Sequence, residues 1–386
     1  MLYTALCAIA RDEGPHLREW VLHHLAVGFE HIIVYDNGSR EPVRQTLADF
    51  VAVGLVTVLD FPSRQKPQLS AYFHCLKNFR RASRWLAFVD IDEFILPLVT
   101  RDIRDFLPRY EQYAALAVHW MLFGSCGHLG RPASSVVRAY THSLGLDPHI
   151  KCIVQPEKTI KPLSPHHFAH AEGSVCVNED AIPVFGALSY PVAGKIRINH
   201  YYYKSQQDFE EKMARGFATP IHGQERRSLS EFYAQSRQLG SPDVAALPFA
   251  VQAERLGRLP VDELARLTLH AAAAGAVAEL DAITALVGRG QLGAALGRFE
   301  RAYRYQRSPE LLVLGAGLYY AQEQPERCWQ LLAQALQMAS GQPAQECWVL
   351  EQIRQQYLRQ GEETKATALG TFIDRHTAPT GRAEGA

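Results

Sequence analysis

Three carboxylates, Asp90, Asp92 and Glu93, stand within four residues in the stretch FVDIDEFILP (88–97), which overlaps the end of the apolar run WLAFV. A run of that kind reads as a buried strand, so the acids emerge where it ends. In an extended segment, residues i and i+2 point to one side, which would present Asp90 and Asp92 together. Two adjacent carboxylates need a cation. A hard divalent ion such as Mn2+ or Mg2+ takes one or two of them, with the rest from water and substrate phosphates. The chemistry expected is a metal and diphosphate site; solvated loop acids are the alternative for an Asp-x-Asp read alone. Glu93 fits either a supporting acid or a partner for an arginine.

Other polar residues sit where apolar runs end. YDNGS places Asp36 and Asn37 after HIIV, where they could hydrogen-bond a ribose or base, although the same residues are common turn chemistry. ARDEG places Arg11 and Glu13 just before a helix whose free N–H groups suit an anion; a structural Arg11–Glu13 pair is the alternative. KIRIN delivers His200 to the polar, aromatic HYYYKS, and neutral imidazole is a good ligand for Mn2+. Lys204 follows four residues later and could neutralise a diphosphate, as could Lys151 in HIKCIV. In HWMLFGSCGH, Trp120 could stack on a sugar face and Gly124 could permit close backbone approach. HHFAHAEG and VNED supply His170, Glu172 and Asp180, all candidates for a general base.

The first third of the chain alternates short Val-, Ile- and Leu-rich runs with amphipathic segments: LYTALCAIA, GPHLREWVLHHLAVG, HIIVYD, PVRQTLADFVAVG, VTVLDF, QLSAYFHCLKNFRRASR and WLAFVDIDEFIL. That pattern predicts a mainly parallel sheet with helices on both faces, an α/β fold whose ligands bind at the carboxyl ends of the strands. Shorter alternating runs to about residue 205 complete the same domain, with some antiparallel pairing. Histidine is concentrated here: 13 of the 16 lie at or before residue 200, so a functional histidine is expected in this half. Past residue 240 the composition turns to Ala, Leu, Gln, Arg and Glu. GQLGAALGRFERAYR, from Gly290, aligns with EQPERCWQLLAQALQ, from Glu323, close to the ~34-residue period of a tetratricopeptide helix pair. The expected organisation is a catalytic-type domain over 1–240, an α-helical, TPR-like region over 241–376 and a disordered tail over 377–386.

Forty basic residues balance forty acidic ones, which removes any global argument for nucleic acid or an anionic membrane. The seven cysteines are odd in number, widely spaced and without a CxxC pair, so they read as reduced thiols of a cytosolic protein. No run approaches the ~20 apolar residues that cross a bilayer. A soluble cytoplasmic protein is expected, with peripheral membrane attachment open.

Taken together, AIARDEGPHLREWVLHHLAVGFEHIIVYDNGS, FVDIDEFILP, HWMLFGSCGH and NHYYYKS resemble glycosyltransferases of the family 2-like and family 92-like groups, with the GT-A nucleotide-diphospho-sugar transferase fold. The resemblance spans residues 1 to about 215. It implies a nucleotide-sugar donor, a UDP-sugar first among them, and a glycan or lipid-linked acceptor. It implies Mn2+ or Mg2+ at Asp90, Asp92 and His200, with Arg11, Glu13, Asp36 and Asn37 near the nucleotide. Inverting transfer also needs a base, for which Glu172, Asp180 and His170 stay open, Glu172 favoured for the Gly173 beside it. The helical region would contact acceptor, membrane or protein. A nucleotidyltransferase is the near rival, but ARDEGPHLREW lacks its glycine-rich basic loop. A noncatalytic glycan- or protein-binding module is the distant one.

Overall fold

A computed structural model describes residues 2–63, 65–216, 228–238, 240–305, 308–340 and 342–377. The chain divides into two compact units, Met1–Ala272 and Ala273–Ala386. The expected tail at 377–386 lies almost wholly outside the described residues.

The first unit is built on a ten-stranded mixed sheet. Its leading strands are β1 (Leu2–Ala10), β2 (His31–Asp36), β3 (Val56–Asp60), β4 (Ser83–Phe88) and β5 (Glu93–Pro97). They are followed by β6 (Ala115–Phe123), β7 (His142–Val154), the hairpin β8 (Thr159–Pro162) and β9 (Phe168–His170), then β10 (Cys176–Val177), β11 (Ile196–His200) and β12 (Ser241–Pro242). The main order is β3-β2-β1-β4-β7-β6-β11-β5, with β10 beside β6, β12 beside β7, and β8 and β9 forming a separate sheet. The half formed by β3, β2, β1 and β4 is all parallel, and antiparallel pairing enters with β7 and β5. The α/β sheet read from the sequence is therefore present, as a mixed one.

The strands are apolar throughout because both faces are covered. Along β1, Leu6, Ala8 and Ala10 enter one core cluster while Ala5 and Cys7 enter the other. The first cluster takes Leu17, Trp20 and Val21 from the helix Gly14–Val27; the second takes Ala71, Tyr72 and Cys75 from the helix Pro67–Asn78. Gly28 ends the first helix at φ 108°, and a Cβ there would lie 2.2 Å from Asp102 Oδ1. Residues 241–272, whose composition resembles the helical region, join the first unit: Ala246, Phe249 and Ala250 lie in its core, and Phe249 packs 6.2 Å from the His23 ring.

WLAFVDIDEFILP is two strands rather than one. β4 stops at Phe88, and a turn closed by Glu93 N–H donating to Asp90 O (3.1 Å) sends the chain to β5, at the far edge of the sheet. Three side chains of the helix Gly14–Val27 hold that turn and edge. Trp20 Nε1 donates to Asp90 O and Glu93 O (3.0 and 2.9 Å), His23 Nε2 to Ile95 O (2.8 Å), and His24 Nε2 accepts from Ile95 N–H (3.3 Å). Two imidazoles thus take the place of a neighbouring strand for β5, leaving its backbone satisfied on the side away from β11.

The second unit consists of helices, among them Leu292–Tyr305, Pro309–Ala321, Pro325–Ala339, Pro343–Arg359 and Glu363–Thr377. The two segments aligned in the sequence begin two of these helices, each followed by another. Phe299 fills the space over Gly315, where a Cβ would sit 2.0 Å from its ring. No helix among the described residues is long and apolar enough to cross a membrane, and the cysteines are free thiols.

Candidate active site

The turn after β4 and the end of β11 place the acids and the histidine at one end of the sheet, but not as an extended Asp-x-Asp would. Ile91 is buried between Asp90 and Asp92, and the two carboxylates take different partners. Asp90 Oδ2 accepts from Lys151 Nζ at 3.0 Å, and its Oδ1 from Tyr72 at 3.3 Å. Asp92 Oδ2 accepts from Lys212 Nζ at 2.6 Å, while its Oδ1 lies 3.6 Å from His200 Nε2. Trp20 holds this segment as a turn rather than the extended strand expected for Asp90 and Asp92.

Glu93 is explained by the same turn. It is fully buried, its Oε2 accepts from Asp90 N–H at 2.9 Å and lies 3.6 Å from Lys151. Burial, with Asp90 and Asp92 nearby, raises its carboxyl well above the usual range even against Lys151. Burial alone would lower Lys151, but the Asp90 charge keeps it raised and protonated. Burial likewise pushes Asp92 up, but Lys212, His200 and Lys204 hold it well below the carboxylate range, a firm anion. Burial lowers His200 despite Asp92, leaving a neutral ring whose Nδ1 has no hydrogen-bond partner.

Beside this pair is a small polar cleft lined by Glu13, His16, Arg131, Lys204, Asp208 and Arg215 among others, at the N-terminus of the helix Gly14–Val27. Arg215 pairs with Glu13 at 2.8 Å, and Arg131 with Asp208 at 2.7 Å. Asp208 closes a capping box with Ser205 and accepts from His16 Nε2 at 2.9 Å. Lys204 is 5% exposed at φ 47°, and no hydrogen bond or ion pair engages its ammonium among the described residues. Burial therefore lowers it, although Glu13 and Asp92 oppose the shift. A largely buried cation with no hydrogen bond or ion pair among the described residues, at the N-terminus of a helix, is chemistry for an anion.

The remaining candidates are placed differently. Trp120, from β6, lies at this end, but His149 stacks on it (ring centroids 5.0 Å apart, 24° between planes), and His200 packs at 4.3 Å. Its ring is taken up by imidazoles rather than left open to a sugar. Gly124 is packed against Leu144, 3.3 Å from where a Cβ would be. Asp36 accepts from the backbone N–H of Ser39 and Val43, and Asn37 from that of Ser63, so both oxygens shape loops. Arg11 is exposed at the end of β1.

The three base candidates sit elsewhere. Ala114 N–H donates to Val175 O and Cys176 pairs with Ala115, which puts the exposed Glu172 near the start of β6. Trp120 and His200 are at its other end, and Ala115 to Trp120 spans roughly 17 Å of strand. Asp180 is exposed and paired with Lys195 at 2.7 Å, and His170 Nδ1 meets Thr159 Oγ1 at 3.1 Å in the β8–β9 hairpin. Sequence reasoning missed Lys212, Arg215, Asp147, His149 and His166. His149 stands two residues before Lys151, the spacing that shares a strand face, and this was the available signal.

A family model for glycosyltransferase family 92 matches residues 10–222, more than half of the chain. The chain belongs to glycosyltransferase family 92. A family 92 protein of Ricinus communis is 29% identical over 222 residues, 56% of this chain and 38% of that protein. A galactan beta-1,4-galactosyltransferase of Arabidopsis thaliana is 28% identical over 135 residues, 32% of this chain and 26% of that one. The chain thus spans well under half the length of these curated relatives. Among solved structures, S. aureus TarS 1–349 in complex with UDP is 14% identical, with a TM-score of 0.25 over 40% of this chain and 47% of that one, a likeness too loose to bear on fold or ligand. The family 92 match covers β2 to β11 and contains every residue of the cluster described above.

Buried neutral histidines give this unit a pH signature. Burial lowers His23 from 6.5 to about 4, and burial with Lys151 lowers His166 to about 4. Between those values the unfolded chain takes up protons that the folded one refuses. Stability is therefore complete above pH 6.5 and falls as the pH drops toward 4, by about 2 kcal/mol per histidine at pH 5. Urea midpoints measured between pH 7.5 and 5 should fall accordingly; a flat profile would contradict the neutral rings.

Proposed function

We propose that this family 92 chain is a glycosyltransferase that moves a sugar from a nucleoside diphosphate sugar to a hydroxyl of a glycan or lipid-linked acceptor, with inversion at the anomeric carbon. The observation that carries the reading is the Asp92–His200 pair, a buried anion beside a neutral imidazole, with the charge of Lys204 close to it. Among the described residues no three His, Cys, Asp or Glu side chains form a complete metal site. Two protein donors nevertheless fit Mn2+ or Mg2+, which commonly completes its shell with water and substrate phosphates. Asp92 and His200 would hold it, and Asp90 could join on leaving Lys151. When bound, such a cation offsets the charge that develops on the leaving diphosphate.

Lys204 and Arg215 supply positive charge to the phosphates in the cleft, and the N-terminus of the helix Gly14–Val27 adds its own. Lys151 keeps the turn in shape by holding Asp90 and Glu93. The helical unit is read as a TPR-like scaffold for acceptor, membrane or protein contact, in a cytoplasmic, membrane-peripheral enzyme.

The test is a panel of sugar nucleotides, UDP-galactose first because of the galactosyltransferase relatives, with Mn2+, Mg2+ or EDTA. One donor should be bound and turned over with the cation and lose turnover in EDTA. A protein that binds and turns over no donor is not a transferase, and the noncatalytic module then stands.

A further inference from the structure

We propose that His149, oriented by Asp147, is the general base that deprotonates the acceptor hydroxyl; this rests on the transferase reading above. His149 Nδ1 lies 2.6 Å from Asp147 Oδ1, and the same oxygen accepts from His149 N–H at 2.9 Å. Asp147 accepts at that contact, so Nδ1 carries the proton and Nε2 presents a lone pair. Two rings pack against the imidazole, Trp120 at 5.0 Å and His166 at 5.2 Å, and the backbone of His149 is held by a bridge to Leu188. Trp120 in turn touches His200 at 4.3 Å, and His200 faces Asp92. One aromatic ring therefore separates the imidazole from the pair assigned to the donor end of the reaction.

Accessibility distinguishes His149 from its neighbours. Its side chain is 41% exposed, against 7% for His200, and His166 has its Nδ1 engaged by Ile150 O. An acceptor can reach it from solvent, past the exposed Leu188 and Tyr190. A base with one ring nitrogen held by a carboxylate and the other free is the arrangement general-base catalysis requires. In the step, the acceptor oxygen forms its bond to the anomeric carbon as its proton passes to His149 Nε2. The bond from that carbon to the diphosphate oxygen breaks, and the diphosphate leaves with the electron pair. The imidazolium then returns its proton to water. Asp147 is a positioning residue: it fixes the tautomer and offsets the imidazolium charge.

His149→Ala in the full chain should cut transfer about 100-fold or more, leave UDP affinity within twofold, and regain part of its turnover with added imidazole. Asp147→Asn should show the same split, lower kcat with unchanged UDP affinity. Transfer retained within threefold in His149→Ala, with UDP still bound, overturns the proposal and leaves the transferase reading intact. Lost transfer without imidazole rescue, in a folded variant that binds UDP, also overturns it. Wild-type protein that neither binds UDP nor turns over any donor overturns both.

Discussion

Asp92→Asn should lower sugar-nucleotide turnover by about 100-fold or more, the scale of losing one transition-state charge contact, and should destabilise the first unit by about 3 kcal/mol, the cost of stripping a buried ion pair of one partner. Both effects follow from its surroundings. Asp92 is the anion that Lys212, His200 and Lys204 share, and asparagine preserves its shape but removes the charge. Lys212, 12% exposed, then faces a neutral amide at 2.6 Å in place of the carboxylate that offset its charge. Adding Lys212→Met removes the cation that faced Asp92, so the double variant should regain part of the stability in a denaturant titration while turnover stays lost. That separation assigns the catalytic loss to the anion and not to the fold. Turnover within threefold of wild type in the single variant would remove Asp92 from the site.

Lys204→Met should move stability and binding in opposite directions. Among the described residues no hydrogen bond or ion pair engages the largely buried ammonium, and burial outweighs the pull of Glu13 and Asp92, so methionine, of similar length and without charge, should raise stability by about 1 kcal/mol. The same change removes a cation from the cleft where the donor diphosphate is placed, and should weaken UDP binding about tenfold. Calorimetry with UDP and thermal melts with and without it read both signs on one sample. A destabilised variant would mean that Lys204 has a structural partner, and unchanged UDP affinity would move the phosphates elsewhere. Such a cost in the free protein is expected where a site is kept ready for a charged ligand.

The architecture was legible because strand and helix periodicities are local. LYTALCAIA and HIIVYD read as strands buried on two faces, and β1 and β2 divide their side chains between two cores in that way. Asp92 and His200 could also be picked out, since each stands just past an apolar run, and the structure brings them to 3.6 Å. The WLAFV run, however, carried no sign that its acids would sit in a turn and take different partners. That turn depends on Trp20, 70 residues before Asp90, donating to its carbonyls. The placement of Glu172 was likewise not legible: Gly173 and the nearby acids look suited to a site, and β10 pairs with the start of β6 rather than its end.

By itself, then, the sequence determined the α/β class, the helical second region, the balanced charge and the acids, histidine and lysines at strand ends, because each is a property of a few consecutive residues. The tertiary structure alone decided that Asp90 belongs to Lys151 and Asp92 to Lys212, that β5 is bound by imidazoles, and that His149 stands one ring from His200. Those pairings join strands and helices far apart in the chain. They arise from the order β7-β6-β11-β5, which sets which strand ends meet, and no local pattern encodes that order.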